Sequence, residues 1–508
     1  MTKVTDYVGN WGVYQTYVYV LLFIPTFLDG SQSLISAFIY AIPNTRCFVP
    51  GVDSWDNESY ELPLNLSHRL YLAPMKVAGK DSYCYYCPNV TDGVCTKDRA
   101  MLCNHGFVYD RSQYTSTLLN LVCQYAYMRD LLRALYMVGV LVGGLVLGTI
   151  SDKYHEISCN AQLLMLQNTA HDSPYRYGRK TTLIITGLMQ LVIANSMPFC
   201  QNYYLFALLR TLMGVLGVGT FLCGFIIEAA YSKALPDVCI PGHVQTRKAS
   251  DSCKKAHFSS LYPGSKLFSD GPRFMTVAME LAEGNACIVA GIGMQMFWSV
   301  GALYLGLIAY LCRDWRWVQW ACSIPMVIYI IFIWVLPESF RWLVAMGKTE
   351  KARKLMRTIV KVNRVHIPNA AIEDILSECT PEHSSTSVLE VFKHRTLFIM
   401  TMAMALSWAA TTMAYYGLAL NTSDLPGDDY INFAIASVVD IPSYILAIVL
   451  FAYVGRKYSL IAMYLLGGIF CILSGVMGNS VANLACGVIG KFFISASFAM
   501  IYNYTSEI

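Results

Sequence analysis

Ten runs of predominantly apolar residues, each about twenty residues long, dominate this chain. They occupy 17–40, 131–150, 181–199, 203–227, 286–311, 315–336, 397–420, 431–454, 459–477 and 481–502. A bilayer core about 30 Å thick needs about 20 helical residues at about 1.5 Å each. Lipid offers no partner to a peptide group, so each run must close its own hydrogen bonds as an α-helix. Charged residues are only 14% of the 508, against about 25% in soluble proteins. The fold class predicted is therefore an all-α polytopic membrane protein. Net charge is +4, too small to argue for nucleic acid as a partner. The first run follows a polar opening, 1–15, and is too long for the core of a cleavable signal peptide.

Loop charges predict the orientation. A cytosolic N-terminus puts Arg179, Lys180, Arg456, Lys457 and the basic stretch 341–364 inside, as the positive-inside rule requires. The acidic connection Asp424, Asp428, Asp429 then falls outside. So does a large loop, 41–130, with glycosylation sequons at Asn57, Asn65 and Asn89. Of the 17 cysteines, Cys47, Cys84, Cys87, Cys95, Cys103 and Cys123 lie in that loop. They read as three disulfides in about 15 possible pairings, with a zinc site at Cys84 and Cys87 as the weaker alternative.

Six spans within 1–336 precede a cytosolic linker, 337–396, and four follow within 397–508. In the linker, Ala352, Leu355, Met356, Ile359 and Val360 share one helical face, flanked by Lys351, Arg353, Lys354 and Arg357. The pattern predicts a helix lying on the inner leaflet, with a calmodulin-type target as the second reading. A short motif recurs between the halves. Gly148, Ser151, Asp152 and Lys153 follow span 2, with Gly178, Arg179 and Lys180 after an interruption. Gly455, Arg456 and Lys457 follow span 8. The same cytosolic turn in each half marks a duplicated unit, with glycine for the tight turn and charges to lock helix ends.

These residues resemble the major facilitator superfamily and, within it, the organic cation/anion/zwitterion transporters of solute carrier family 22. The likeness includes the loop opening at Ile42–Cys47, Tyr109-Asp110 and Leu121–Cys123 before span 2, and Arg210, Gly214, Gly217 and Gly219 in span 4. It also includes Glu338 and Arg341 after span 6, Asp440-Ile-Pro442 in span 8 and Tyr504–Glu507 at the end. The resemblance implies a twelve-span bundle of which ten spans are present. Two polar stretches, about 155–177 and 228–276, interrupt the pattern and read as unspliced or mispredicted sequence, with genuine loops as the alternative. Removing the second would join Ile227 to Val277 and Glu280, the expected exit from span 4. Ala452 stands where the family often has Asp, so the lock in the second half is expected to be the weaker one.

No constellation for covalent chemistry stands up. Gly347-Lys348-Thr349 lacks the first glycine of a phosphate-binding loop, and His155-Glu156 is followed by Cys159 where a zinc protease needs histidine. The chain reads as no enzyme, with no cofactor. Energy must come from the substrate gradient, the membrane potential or a co-transported ion. The informative residues are charges inside spans, each costing about 2.5–3.5 kcal/mol at midplane. They are Asp29, Arg210, Asp440 and Lys491, in spans 1, 4, 8 and 10. The resemblance implies that these spans surround the cavity while 3, 6, 9 and 12 are peripheral. For Asp440 and Lys491 two readings stand: they neutralise one another, or Asp440 joins Asp29 as counter-charge for a cationic substrate while Lys491 sets the local potential. Arg210, in a glycine-rich helix, reads as structural. Trp408, Tyr444 and Phe492, with Tyr415 and Tyr416, can box a cation through ring faces. Tyr415 and Tyr416, near a span end, fit an interfacial belt better.

The function expected is transport of small organic cations by alternating access at the plasma membrane, with the bilayer and an organic ion as partners and the oligomeric state open. An organic anion or carnitine-like zwitterion carrier is the alternative. A non-transporting membrane protein is the third.

Overall fold

The computed structural model describes residues 12–43, 45–48, 121–164, 179–233, 273–338, 340–345, 347–365, 394–420, 428–477 and 480–505, with short stretches of 75–119 and residues 368 and 372. Within helices, the side chains of 148–179 and 225–287 are outside the description. Asn57, Asn65, Asn89, Cys87, Cys95, Gly178 and Asp424 lie outside the described residues.

Ten helices are long and apolar enough to cross a membrane. They are span 1 (Val13–Ile39), span 2 (Cys123–Leu147), span 3 (Lys180–Phe199), span 4 (Tyr203–Gly224), span 5 (Ile288–Cys312), span 6 (Trp315–Val335), span 7 (Arg395–Leu420), span 8 (Asp429–Tyr453), span 9 (Arg456–Val476) and span 10 (Ala482–Thr505). Each falls on one of the ten apolar runs of the sequence. Large apolar side chains such as Val192, Trp334, Met413 and Val476 point outward, while Asp29, Gln190, Arg210, Asp440 and Lys491 are buried. This inside-out distribution is what lipid as solvent selects.

Among the first six spans, span 2 packs on span 4, span 3 on span 4, and span 1 on both 4 and 5. Among the last four, span 10 packs on 7, 8 and 9. The two groups meet chiefly where span 5 runs along span 8. Spans 1 and 5 cross without side chains between them. A Cβ on Gly301 would strike the Phe27 carbonyl, and one on Gly30 the Trp298 carbonyl. Small residues let membrane helices approach and gain dispersion contact where no hydrophobic force drives them together.

Two sequence expectations are corrected. The first motif copy forms no tight turn: the helix of span 2 continues through Gly148, Ser151, Asp152 and Lys153 to Leu164. From 149 to 164 there is neither glycine nor proline to stop it, because the interruption moved Gly178 away. Likewise the second interruption is helical at both ends, as the span 4 helix reaches Lys233 and the span 5 helix begins at Arg273, enclosing Glu280. The second motif copy does turn: Gly455 has φ +93°, a conformation that favours glycine, and its carbonyl takes the Ser459 hydroxyl. Arg456 and Lys457 are exposed beside it.

Second, the amphipathic helix, Thr349–Val362, does not lie on the leaflet. Ala352, Met356 and Ile359 are buried in the same apolar cluster as span 1. Beyond its end, Asn363 clasps the start of span 1: Oδ1 accepts the Tyr14 N–H at 2.9 Å and Nδ2 donates to Gln15 Oε1 at 2.9 Å. The apolar face is thus covered by protein, which also removes the calmodulin-type reading.

Two of the expected loop disulfides lie among the described residues, Cys47–Cys103 and Cys84–Cys123, while Cys87 and Cys95 lie outside them. Cys47 ends a strand, Thr45–Cys47, paired antiparallel with Phe107–Tyr109, so the first bridge tethers the loop at the base of span 1. The second joins the loop to the start of span 2.

Replacing Gly301 by Leu should force spans 1 and 5 apart. Overpacking typically costs about 1–3 kcal/mol, so the detergent-solubilised variant should melt several degrees below wild type. An unchanged melting temperature would contradict the close crossing.

Candidate functional site

Two buried charge clusters sit in the middle of the bundle, one on each group of spans. Span 8 carries Asp440 one residue before Ile441 and two before the in-helix Pro442. The Asp440 carboxylate is 1% exposed and fully engaged. Lys491 Nζ of span 10 lies 3.5 Å from Oδ2. Ser495 donates to Oδ1 at 2.6 Å, and Tyr415 and Ser299 donate to Oδ2 at 3.2 and 3.3 Å. Lys491 also stands 5.5 Å from the centre of the Tyr415 ring. Four spans therefore meet on one carboxylate, and Ser299 of span 5 brings the other half to it. A buried charge pair is favourable only with such additional hydrogen bonds, since each ion has lost its water. Of the two readings of this pair, the structure has the neutralising one.

Asp29 of span 1 stands differently. It is 3% exposed, its Oδ1 is 3.5 Å from the Gln190 amide, and its Oδ2 takes no hydrogen bond from any described residue. Gln190 Oε1 in turn accepts from Thr220, which also donates to Thr186. No basic side chain among the described residues pairs with Asp29 within 4 Å. The phenols of Tyr136, Tyr329, Tyr416 and Tyr502 all lie within reach of its charge. They come from spans 2, 6, 7 and 10, so both halves contribute to its surroundings.

Arg210 of span 4 is wholly buried, and its Nε has no hydrogen-bond partner among the described residues. Both terminal nitrogens donate to the Gln32 carbonyl at 3.3 Å, and its guanidinium lies 4.2 Å from the Tyr136 ring centre. It staples spans 4, 1 and 2 together. Gln32 then reaches Ser323 and Gln319 of span 6.

Span 7 links the clusters. Tyr415 turns to Asp440 and Lys491, its neighbour Tyr416 to Asp29, with the two rings 5.5 Å apart. The belt expectation for Tyr415 is corrected: it is 0% exposed, because Asp440 gives its hydroxyl a partner in the interior. Tyr444 is equally buried, close to Ser299, Tyr415 and Asp440. Trp408 lies elsewhere, its indole N–H on Thr505 at 3.0 Å and its ring edge-on to Tyr502. Phe492 is half-buried against Phe493. Sequence reasoning missed Gln190, Thr220, Ser299 and Ser495, and the available signal was polarity inside apolar spans.

Both ends of the bundle carry cross-links. At the end bearing the cysteine-rich loop, Phe38 stacks on Tyr430 at 5.5 Å and meets Phe433 at 4.8 Å. Tyr114 of the loop donates to Asp429 at 2.7 Å, and burial beside that carboxylate holds its phenol far above the ordinary phenol range. At the other end, Glu338 Oε1 accepts the Lys180 N–H at 3.2 Å, joining spans 6 and 3. Arg341 and Arg179 are described in backbone only.

Replacing Lys491 by Met leaves Asp440 buried without its cation, and breaking such a pair costs about 3–5 kcal/mol. Adding Asp440→Asn should recover most of that loss. Thermal melting of the single and double variants measures the coupling, and additive effects would contradict the pairing.

Residues 275–506 match the family model described as sugar (and other) transporter. Over 99% of its length the chain is 26% identical to the organic cation transporter protein of Drosophila melanogaster, covering 80% of that protein. It is 26% identical to the human organic cation/carnitine transporter 2, over 100% of this chain and 80% of the relative. Solute carrier family 22 member 6-A of Xenopus laevis gives 26% over 98% and 79%. The proton:xylose symporter XylE has a similar fold, with a TM-score of 0.52 at 14% identity over 97% of this chain and 82% of that one. The chain, then, has the helical fold of the major facilitator superfamily and is a transporter of that superfamily, like the organic cation and anion carriers of solute carrier family 22, and not an enzyme.

Proposed function

We propose that the chain carries small organic cations across the plasma membrane by alternating access, with its N-terminus in the cytosol. The observation behind this reading is the contrast between the two aspartates. Asp440 is neutralised by Lys491, whereas Asp29 has no basic partner within 4 Å among the described residues, and tyrosines of both halves feel its charge. An unpaired acid with aromatic faces around it suits a monovalent organic cation, with about 0.5–2 kcal/mol from each well-placed ring. A substrate touching span 1 on one side and spans 7 and 10 on the other would feel both halves, as rocking around a central site demands. The contacts of Phe38 and Tyr114 with Tyr430, Phe433 and Asp429 join the two halves at the loop-bearing end, and such rocking would break them. The second motif copy then acts at its turn through Gly455, while the Glu338–Lys180 contact holds spans 6 and 3 together within the first half.

A second reading, a zwitterion with separated charges, has one observation in its favour. Lys491 lies behind Tyr415, next to Tyr416, and offers a positive group on the opposite half from Asp29.

Cells expressing the chain should take up a labelled quaternary ammonium ion saturably and a labelled aromatic carboxylate poorly. Asp29→Asn should reduce cation uptake at least tenfold at unchanged surface level, about 1.4 kcal/mol or more of lost recognition. Preferential uptake of the carboxylate would overturn the assignment.

A further inference from the structure

A guanidinium keeps its proton at any pH a fold survives, so Arg210 cannot shed its charge as a buried carboxylate can. It is 0% exposed, and it makes no ion pair within 4 Å among the described residues. Its terminal nitrogens share the Gln32 carbonyl and its face lies on the Tyr136 ring, both neutral partners. Its Nε has no hydrogen-bond partner among the described residues. A buried charge that meets only neutral groups is costly, and a counter-charge is the usual answer.

The unsatisfied groups beside it can all donate. Tyr40, at the loop-bearing end of span 1, is 1% exposed, and its hydroxyl has no hydrogen-bond partner among the described residues. Its phenol feels the charges of both Arg210 and Arg133, and the Arg210 fork stands beside it short of a well-formed hydrogen bond. Arg133 of span 2 precedes Tyr136 by three residues, so the two share a helix face. Its Cζ is 5.9 Å from the Tyr40 ring centre, and its Nε is also without a partner. The other groups nearby are spoken for. Arg129 donates to the Tyr40 carbonyl, and the Tyr203 hydroxyl to that of Met128. Asp130 meets Arg133 at 3.3 Å from the exposed side. Asp29 and Arg210 both act on Tyr136 without pairing with each other.

We propose that spans 1, 2 and 4 hold a small inorganic anion, chloride in physiological salt, between the Arg210 and Arg133 guanidinium groups and the Tyr40 hydroxyl. The donor set selects it. Two guanidinium N–H groups and a phenol O–H can all donate, and chloride accepts without needing to donate in return. A water molecule would bring two protons of its own to nitrogens that can only donate, and would leave the Arg210 charge unanswered. A phospholipid headgroup, tied to its acyl chains, does not reach atoms as deeply buried as those of Arg210 and Tyr40. All three residues belong to the first six spans, so the anion moves with that half and braces the Arg210 staple between spans 4, 1 and 2. Its binding stands or falls independently of what the chain carries.

Thermal melting of the purified full chain in detergent tests it, with sodium chloride as the probe and sodium gluconate, too bulky for the buried donors, replacing it at equal ionic strength. Chloride should raise the melting temperature saturably by several degrees, as a ligand of the folded state does, and bromide should do the same. Tyr40→Phe keeps the ring and removes the hydroxyl, and should move half-saturation to about tenfold higher chloride. Arg133→Gln should move it in the same direction. A melting temperature that is the same in chloride and gluconate overturns the proposal, and so does a chloride shift that both variants keep in full. Where the variants fail to fold, the magnetic-resonance line of chloride decides on wild-type protein alone. Saturable broadening that bromide displaces supports the site, and broadening that never saturates overturns it.

Discussion

The cost of placing charge in a medium that cannot solvate it organises this molecule. Four ionisable side chains stand deep in the spans, and the structure deals with each by different means. Asp440 and Lys491 compensate one another within a shell of hydroxyls. Arg210 finds a backbone carbonyl and a ring face, both neutral, which suits a diffuse guanidinium better than it would suit an ammonium. Asp29 receives a single amide at 3.5 Å. A charge pair can serve as architecture. A charge without a partner is either a liability or a place for something mobile, and this one lies where spans from both halves converge.

The clusters also explain how two groups of spans hold together without becoming a single rigid block. Spans 1 and 5 touch backbone to backbone through Gly30 and Gly301, a contact that permits little slack. Between the halves the hydrogen bond that matters is longer and softer, Ser299 to Asp440 at 3.3 Å. Other cross-half contacts include aromatic edges such as Phe38 on Phe433 and Phe221 on Tyr502, the stacked rings of Phe38 and Tyr430, and the Tyr114 hydroxyl on Asp429. Ring edges slide at small cost, whereas interlocked backbones do not. Rigid halves with a yielding seam follow from that difference in contact chemistry.

Much of this was legible in the residues. Span positions came through because a run of about twenty apolar residues has one structural solution in lipid. The opposition of Asp440 and Lys491 was visible as depth along two helices, although depth alone does not tell a neutralising pair from two independent sites. What escaped depends on partners distant in the chain. The face of Ala352, Met356 and Ile359 announces burial without saying whether lipid or span 1 covers it. Tyr415 read as a belt residue because position along a helix carries no information about Asp440, 25 residues on. The run through Gly148 to Leu164 shows a motif losing its turn once its second glycine is displaced in sequence.

The clasp of Asn363 on the first residues of span 1 has a mechanical meaning. Because the linker helix is pinned to Tyr14 and Gln15, it travels with the first half as one body. Displacement between the halves is then carried by the linker helix as part of the first half and is not taken up within the helix itself.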